Sequence, residues 1–116
     1  MSAELVALRD ALRRFAAERD WDQFHSPKNL AAALSVEAAE LLEQFQWLSE
    51  EQSRSLDARQ LESVRQELAD VLLYLVRLAD KLDVDLVAAA KAKLELNALK
   101  YPVDKSRGSS RKYTEL

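Results

Sequence analysis

An all-α fold is predicted by three features of the chain: a scarcity of turn residues, apolar positions recurring at helical spacing, and capping side chains where the apolar runs begin. One glycine and two prolines among 116 residues leave too few chain-reversing positions for a sheet protein with many tight turns. This length suits one domain with a small core, which covers only about two-thirds of the surface that the unfolded chain exposes. A partner subunit would add stability.

The first helix is predicted over about residues 3–19, where Leu5, Leu8, Leu12 and Phe15 recur at helical spacing. A polar and aromatic connection follows in Asp20, Trp21, Asp22, Gln23, Phe24 and His25. The second helix opens with Ser26 as N-cap and Pro27 in the first helical position, where a missing N–H costs nothing, and runs to about Trp47. Ser49 with Gln52, and Asp57 with Gln60, have the spacing of capping boxes. The first box opens a short turn and the second opens a third helix reaching about Leu82. Residues 68–78 of that helix are apolar around most of its circumference, as in a central or interface helix. Asp83 or Asp85 caps a fourth helix, which ends near Lys100 because Pro102 disfavours helical geometry in Tyr101. The result is a four-helix-bundle-like domain over residues 1–101. Residues 102–116 form a basic tail, with Lys105, Arg107, Arg111 and Lys112 beside Gly108, that is flexible or packs on a neighbouring subunit.

Several function classes fall away on composition. A net charge of −3 argues against general nucleic-acid binding by phosphate neutralisation. No cysteine is present, which removes disulfides, thiolate metal sites and cysteine nucleophiles. The longest strongly apolar run, residues 71–76, is far too short to span a bilayer, and the N-terminal residues lack the pattern of a secretory signal. A soluble, cytoplasmic protein is expected.

The chemistry is expected on two helices. Leu30, Leu34, Leu41, Phe45 and Leu48 form an apolar row with one gap, and Glu37 fills it. Glu40 lies one turn along, so both carboxylates reach a common point beside the core, whereas Glu43 drifts toward solvent. The third helix offers a second pair, Glu67 and Asp70, followed by Tyr74 and Arg77 on nearly the same face. Alone, that stripe reads as the narrow wet side of an otherwise buried helix. Facing Glu37 and Glu40, it makes a four-acid cluster. Two carboxylates about 6 Å apart repel by roughly 3 kcal/mol at an effective dielectric constant near 20, so the cluster needs protons or cations. Four oxygen donors without imidazole or thiolate suit magnesium, with manganese as the alternative, far better than zinc. The lone glycine cannot build a phosphate-cradling loop, so polyphosphate would be held by metal and basic side chains. Trp21, Trp47 and Tyr74 could stack on a base or simply pack.

The pattern Glu37-x-x-Glu40, a spacer of 26 residues, then Glu67-x-x-Asp70 resembles the MazG-like all-α nucleoside triphosphate pyrophosphohydrolases. The stretches Phe-Ala-Ala-Glu-Arg-Asp-Trp-Asp-Gln-Phe-His (15–25), Phe-Gln-Trp (45–47), Asp-Val-Leu-Leu-Tyr-Leu-Val (70–76) and Ser-Ser-Arg-Lys-Tyr-Thr-Glu-Leu (109–116) are similar to the dCTP-hydrolysing branch. The resemblance implies magnesium-dependent hydrolysis of dCTP and related or modified cytidine nucleotides to the monophosphate and pyrophosphate. It implies metal ligation by Glu37, Glu40, Glu67 and Asp70, and nucleotide contacts from Trp21, Asp22, Gln23, Phe24, His25, Trp47 and Tyr74. Lys93, Asn97 and Tyr101 resemble phosphate or sugar contacts. It also implies a homotetramer built as a dimer of dimers, with sites completed across subunits. Leu12 departs from the pattern, standing where the mammalian branch has a histidine that touches the nucleotide, which bears on base preference. Glu40 is the first candidate for the base that activates water, and Glu43 the second. Other or non-standard triphosphates are the alternative substrates, and a non-catalytic helical adaptor is the alternative class.

Overall fold

The computed structural model describes residues 2–116, and every regular element among them is helical. Helix α1 spans Ala3–Glu18, a 3₁₀ turn spans Asp22–Phe24, and α2 spans Pro27–Glu43. A short α3 (Glu50–Ser53) leads to the long α4 (Ala58–Lys81), then α5 (Leu86–Lys100), a short α6 (Val103–Ser106) and a last 3₁₀ turn, Tyr113–Glu115. These elements form two compact units, Ser2–Val84 and Asp85–Leu116. No helix among the described residues is long and apolar enough to cross a membrane.

Within Ser2–Val84, α4 is the central helix and packs against both α2 and α1. Ala16, Leu30, Val64, Val76 and Ala79 are its buried apolar residues. The predicted row on α2 does face inward: Leu30 is only 1% exposed, and Leu34, Leu41, Phe45 and Leu48 are half-buried. His25, just before α2, bonds Arg77 late in α4, while Glu37 further along α2 meets Asp70 and Glu67 earlier in α4. The two helices are therefore antiparallel, which brings the two acid pairs together.

Local chemistry sets the helix ends. The Ser26 hydroxyl accepts the Asn29 N–H at 3.1 Å, with Pro27 in the first turn. Both capping boxes close reciprocally, at Ser49 with Gln52 and at Asp57 with Gln60. Of the two aspartates available to cap α5, Asp85 does so, accepting from the Ala88 N–H. Asp83 has a different task. It sits at φ 54° just past α4, where its N–H reaches the Asp80 carbonyl at 3.2 Å and the next N–H, of Val84, reaches Ala79 at 2.9 Å. The same pair of bonds ends α1, with Asp20 at φ 53° and Trp21 N–H donating to the Ala16 carbonyl at 2.9 Å. This is the Schellman closure, with aspartate in the left-handed position that glycine usually takes.

Helix α2 ends at Glu43, four residues short of the expected limit at Trp47. Beyond it Gln44, Phe45 and Leu48 donate to carbonyls three residues back. The tightened turns keep Phe45 and Leu48 half-buried and leave Trp47 87% exposed.

In the unit Asp85–Leu116, the predicted tail is structured. Tyr113 packs edge-on against Tyr101 with centroids 5.9 Å apart, and the Lys100 ammonium lies 4.9 Å from the Tyr113 ring. Gly108 makes the intervening turn at φ +71°, a conformation that side-chain-bearing residues rarely adopt.

Candidate active site

The antiparallel packing of α2 and α4 brings one carboxylate oxygen each from Glu37, Glu67 and Asp70 within 4.8 Å of one another. All three residues are half-buried. Oε2 of Glu37 and Oε2 of Glu67 are buried and have no hydrogen-bond partner among the described residues. Glu40, one turn along α2, raises the pKa of both glutamates but stands outside the converging set of three. Burial and the neighbouring carboxyls of Glu40, Asp70 and Glu67 push Glu37 up to about 7. Burial, followed by the charges of Glu40 and Asp70, also raises Glu67. Oxygens around one magnesium ion, held at about 2.1 Å, lie no more than about 4.2 Å apart. The 4.8 Å bound on this set is only slightly wider than that span. Orphaned acceptors, mutual repulsion and an all-oxygen donor set fit a hard divalent cation.

Asp70 also belongs to a second feature, a cavity of about 220 Å³ whose lining includes Leu12, Phe15, Trp21, His25, Tyr74 and Arg77. The Schellman closure of α1 positions its aromatic wall. Trp21 meets Phe15 at 5.7 Å and His25 at 6.4 Å, both edge-on. The Arg19 guanidinium covers the Phe15 ring at 3.6 Å. Asn29 donates to the Phe24 carbonyl at 2.9 Å and ties the 3₁₀ turn to the start of α2. The cavity therefore offers flat apolar surfaces beside the acids.

Arg77 organises this wall and is only 6% exposed. It donates to Asp22 Oδ1 at 2.7 Å and to His25 Nδ1 at 3.1 Å, and it approaches Asp80 at 3.5 Å. Lys81 also bonds Asp22. Asp80 is in turn held by Arg13 of α1 through two bonds, one of them 2.8 Å long from Nε. The hydrogen bond and charge of Lys81, reinforced by Arg77, lower the Asp22 carboxyl below its ordinary range. The hydrogen bond from Arg13 does the same for Asp80. Burial, then the Arg77 and Lys81 cations, lower the His25 imidazolium, with Asp22 opposing.

Of the residues expected to contact a nucleotide, Trp21, His25 and Tyr74 line the cavity, and Asp22 braces it through Arg77. Gln23 bonds Asp20, Phe24 is exposed, and Trp47 is exposed in the turns that follow α2. Lys93 and Asn97 on α5, and Tyr101 after it, belong to the C-terminal unit. The sequence reading missed Arg77, Asp80 and Arg13 as a connected set. The available signal was an arginine in the most apolar stretch of the chain.

A family model described as MazG-like matches residues 32–116. It contains both acid pairs and begins after the aromatic turn. Two curated relatives, dCTP pyrophosphatase 1 of Bos taurus and of Homo sapiens, are each 48% identical over 104 residues and match 88% of this chain. The chain spans 62% and 61% of their lengths. A solved pyrophosphatase from Archaeoglobus fulgidus superposes with a TM-score of 0.81 at 42% identity, covering 88% of this chain and 95% of that one.

Proposed function

Because the chain belongs to the MazG-like family, we propose that it is a magnesium-dependent nucleoside triphosphate pyrophosphohydrolase acting on dCTP and related or modified cytidine nucleotides. The observation that carries this reading is Asp70, which is shared by the acid cluster and the aromatic cavity. One ligand can thus place its phosphates at the acids and its base among the rings. The pyrophosphatase relatives support the reaction class, and the dCTP pyrophosphatases support the base.

Glu37, Glu67 and Asp70 would hold the cation, with Glu40 completing or flanking the set. When bound, magnesium supplies positive charge to the polyphosphate and Lewis acidity at phosphorus. The reaction adds water across the α–β phosphoanhydride, giving monophosphate and pyrophosphate. Glu40, which stands outside the three converging acids, is the proposed acceptor of the attacking water's proton, and Glu43 is the second candidate. Lys93, Asn97 and Tyr101 are proposed phosphate or sugar contacts. Leu12 gives the cavity an apolar wall suited to bases with small apolar substituents. Leu61, Leu68, Leu72 and Leu75 are exposed along one side of α4, which supports assembly with further copies, proposed here as a dimer of dimers.

Replacing Glu40 with Gln keeps size and polarity but removes the base, so turnover of dCTP should fall by at least about a hundredfold with the helical circular dichroism unchanged. Near-normal release of pyrophosphate would overturn the assignment. Product analysis across all common and several modified triphosphates tests the base preference. Hydrolysis without preference for cytosine would leave the reaction class standing and remove dCTP.

A further inference from the structure

We propose that Arg77 is a positioning residue that locks His25 into one neutral tautomer, so that His25 presents a fixed N–H donor to an acceptor atom on the substrate's base. This deepens the nucleotide reading above and rests on it. A guanidinium has five N–H donors and no acceptor, and Arg77 Nε lies 3.1 Å from His25 Nδ1. Nδ1, which accepts that bond, must therefore be unprotonated. The proton of the neutral ring then sits on the other nitrogen, Nε2; among the described residues the only hydrogen bond of the His25 ring is the one at Nδ1. An imidazolium, with donors at both positions, would lose the Arg77 bond and face a cation.

The arginine cannot turn away to relieve this. Its Nη2 is held by Asp22 at 2.7 Å and its Nη1 lies 3.5 Å from Asp80. Asp22 is bound by Lys81 and Asp80 by Arg13. His25 and Arg77 both line the cavity, whose remaining wall includes apolar Leu12, Phe15, Ala16 and Leu73. A donor in such surroundings is read strongly, because an unmatched polar group there stays unpaired. The chemistry it selects is a heterocycle with a ring nitrogen or carbonyl oxygen as acceptor. The O2 and N3 atoms of cytosine offer such an edge. An apolar ring of the same shape does not.

His25 is the only histidine, so ¹⁵N-histidine labelling of the full chain gives one assignable ring. At pH 7.5 the wild type should show the neutral Nε2–H tautomer, and α,β-imido-dCTP with magnesium should shift that N–H signal. In Arg77→Met an Nδ1–H population should appear, and Arg77→Lys, which keeps a donor, should restore the single tautomer. Should Arg77→Met fail to fold, the wild-type spectrum and a His25→Phe variant decide. His25→Phe should lower kcat/KM for dCTP about tenfold relative to the triphosphate of an isosteric apolar C-nucleoside, collapsing the discrimination between them. An imidazolium or Nδ1–H form in the wild type, an unmoved signal, or an equal loss on both substrates would overturn the proposal while dCTP hydrolysis stood. If no triphosphate bound at all, the nucleotide reading would fail and the proposal with it. The tautomer measurement would still tell that failure apart.

Discussion

Glu37 is a carboxyl that holds its proton to about pH 7 because burial and its acidic neighbours disfavour the charge. In the unfolded chain it releases that proton near its ordinary value of 4.5. Between those values the folded state binds more protons than the unfolded one, so stability falls as pH rises. Thermal melts in EDTA should show a midpoint that declines from about pH 5 to above pH 7. On the proposed assignment magnesium would bind the deprotonated cluster, so it should raise the midpoint more at pH 8 than at pH 5. Glu37→Gln should lose most of both effects, and a magnesium gain independent of pH would contradict a carboxylate site. The acids were legible in the sequence because Glu37 interrupts an apolar row. Arg77 was not, since its partners Asp22 and His25 lie 55 and 52 residues away. Its spacing from Tyr74 and Lys81 also looks like an ordinary solvated stripe.

At the scale of elements, caps were the most readable feature. Ser26, Ser49, Asp57 and Asp85 each act on a backbone N–H three residues on, so the chemistry fits inside a four-residue window. The end of α2 was not readable, because no glycine or proline marks residues 43–48 and the stop arises from turns that keep Phe45 and Leu48 inward. The left-handed aspartates were also hidden, since the residue type tolerates that conformation without requiring it. Asp83 makes a direct test. Asp83→Gly relieves the left-handed cost but frees the unfolded chain, for a net gain of about 0.5 kcal/mol. Urea unfolding should show a higher midpoint with the slope unchanged. The corresponding change at Asp20 should gain less, because the Asp20 carboxylate also holds Gln23.

For the molecule as a whole, the apolar residues that the fold leaves outside are as informative as its core. Leu61, Leu68, Leu72 and Leu75 share a stripe of α4 and are 48%, 54%, 40% and 37% exposed. Such a stripe is costly in water unless another surface covers it. Light scattering should give a mass that is a multiple of 13.2 kDa, and the double variant Leu68→Glu, Leu72→Glu should shift it toward the single chain. A wild type that stays monomeric at micromolar concentration would remove the proposed assembly. All-round apolarity in residues 68–78 anticipated this surface, although the sequence could not say which side the core would use.

The bracing around Arg77 bears on how a ligand is received. One guanidinium links the Asp22–Phe24 turn to α4 and, through Asp80 and Arg13, brings α1 into the same network. The ordering entropy of the cavity wall is therefore spent when the chain folds, before any nucleotide arrives. Association should then proceed in one kinetic phase that rises linearly with nucleotide concentration, without the plateau that a slow closing step would impose.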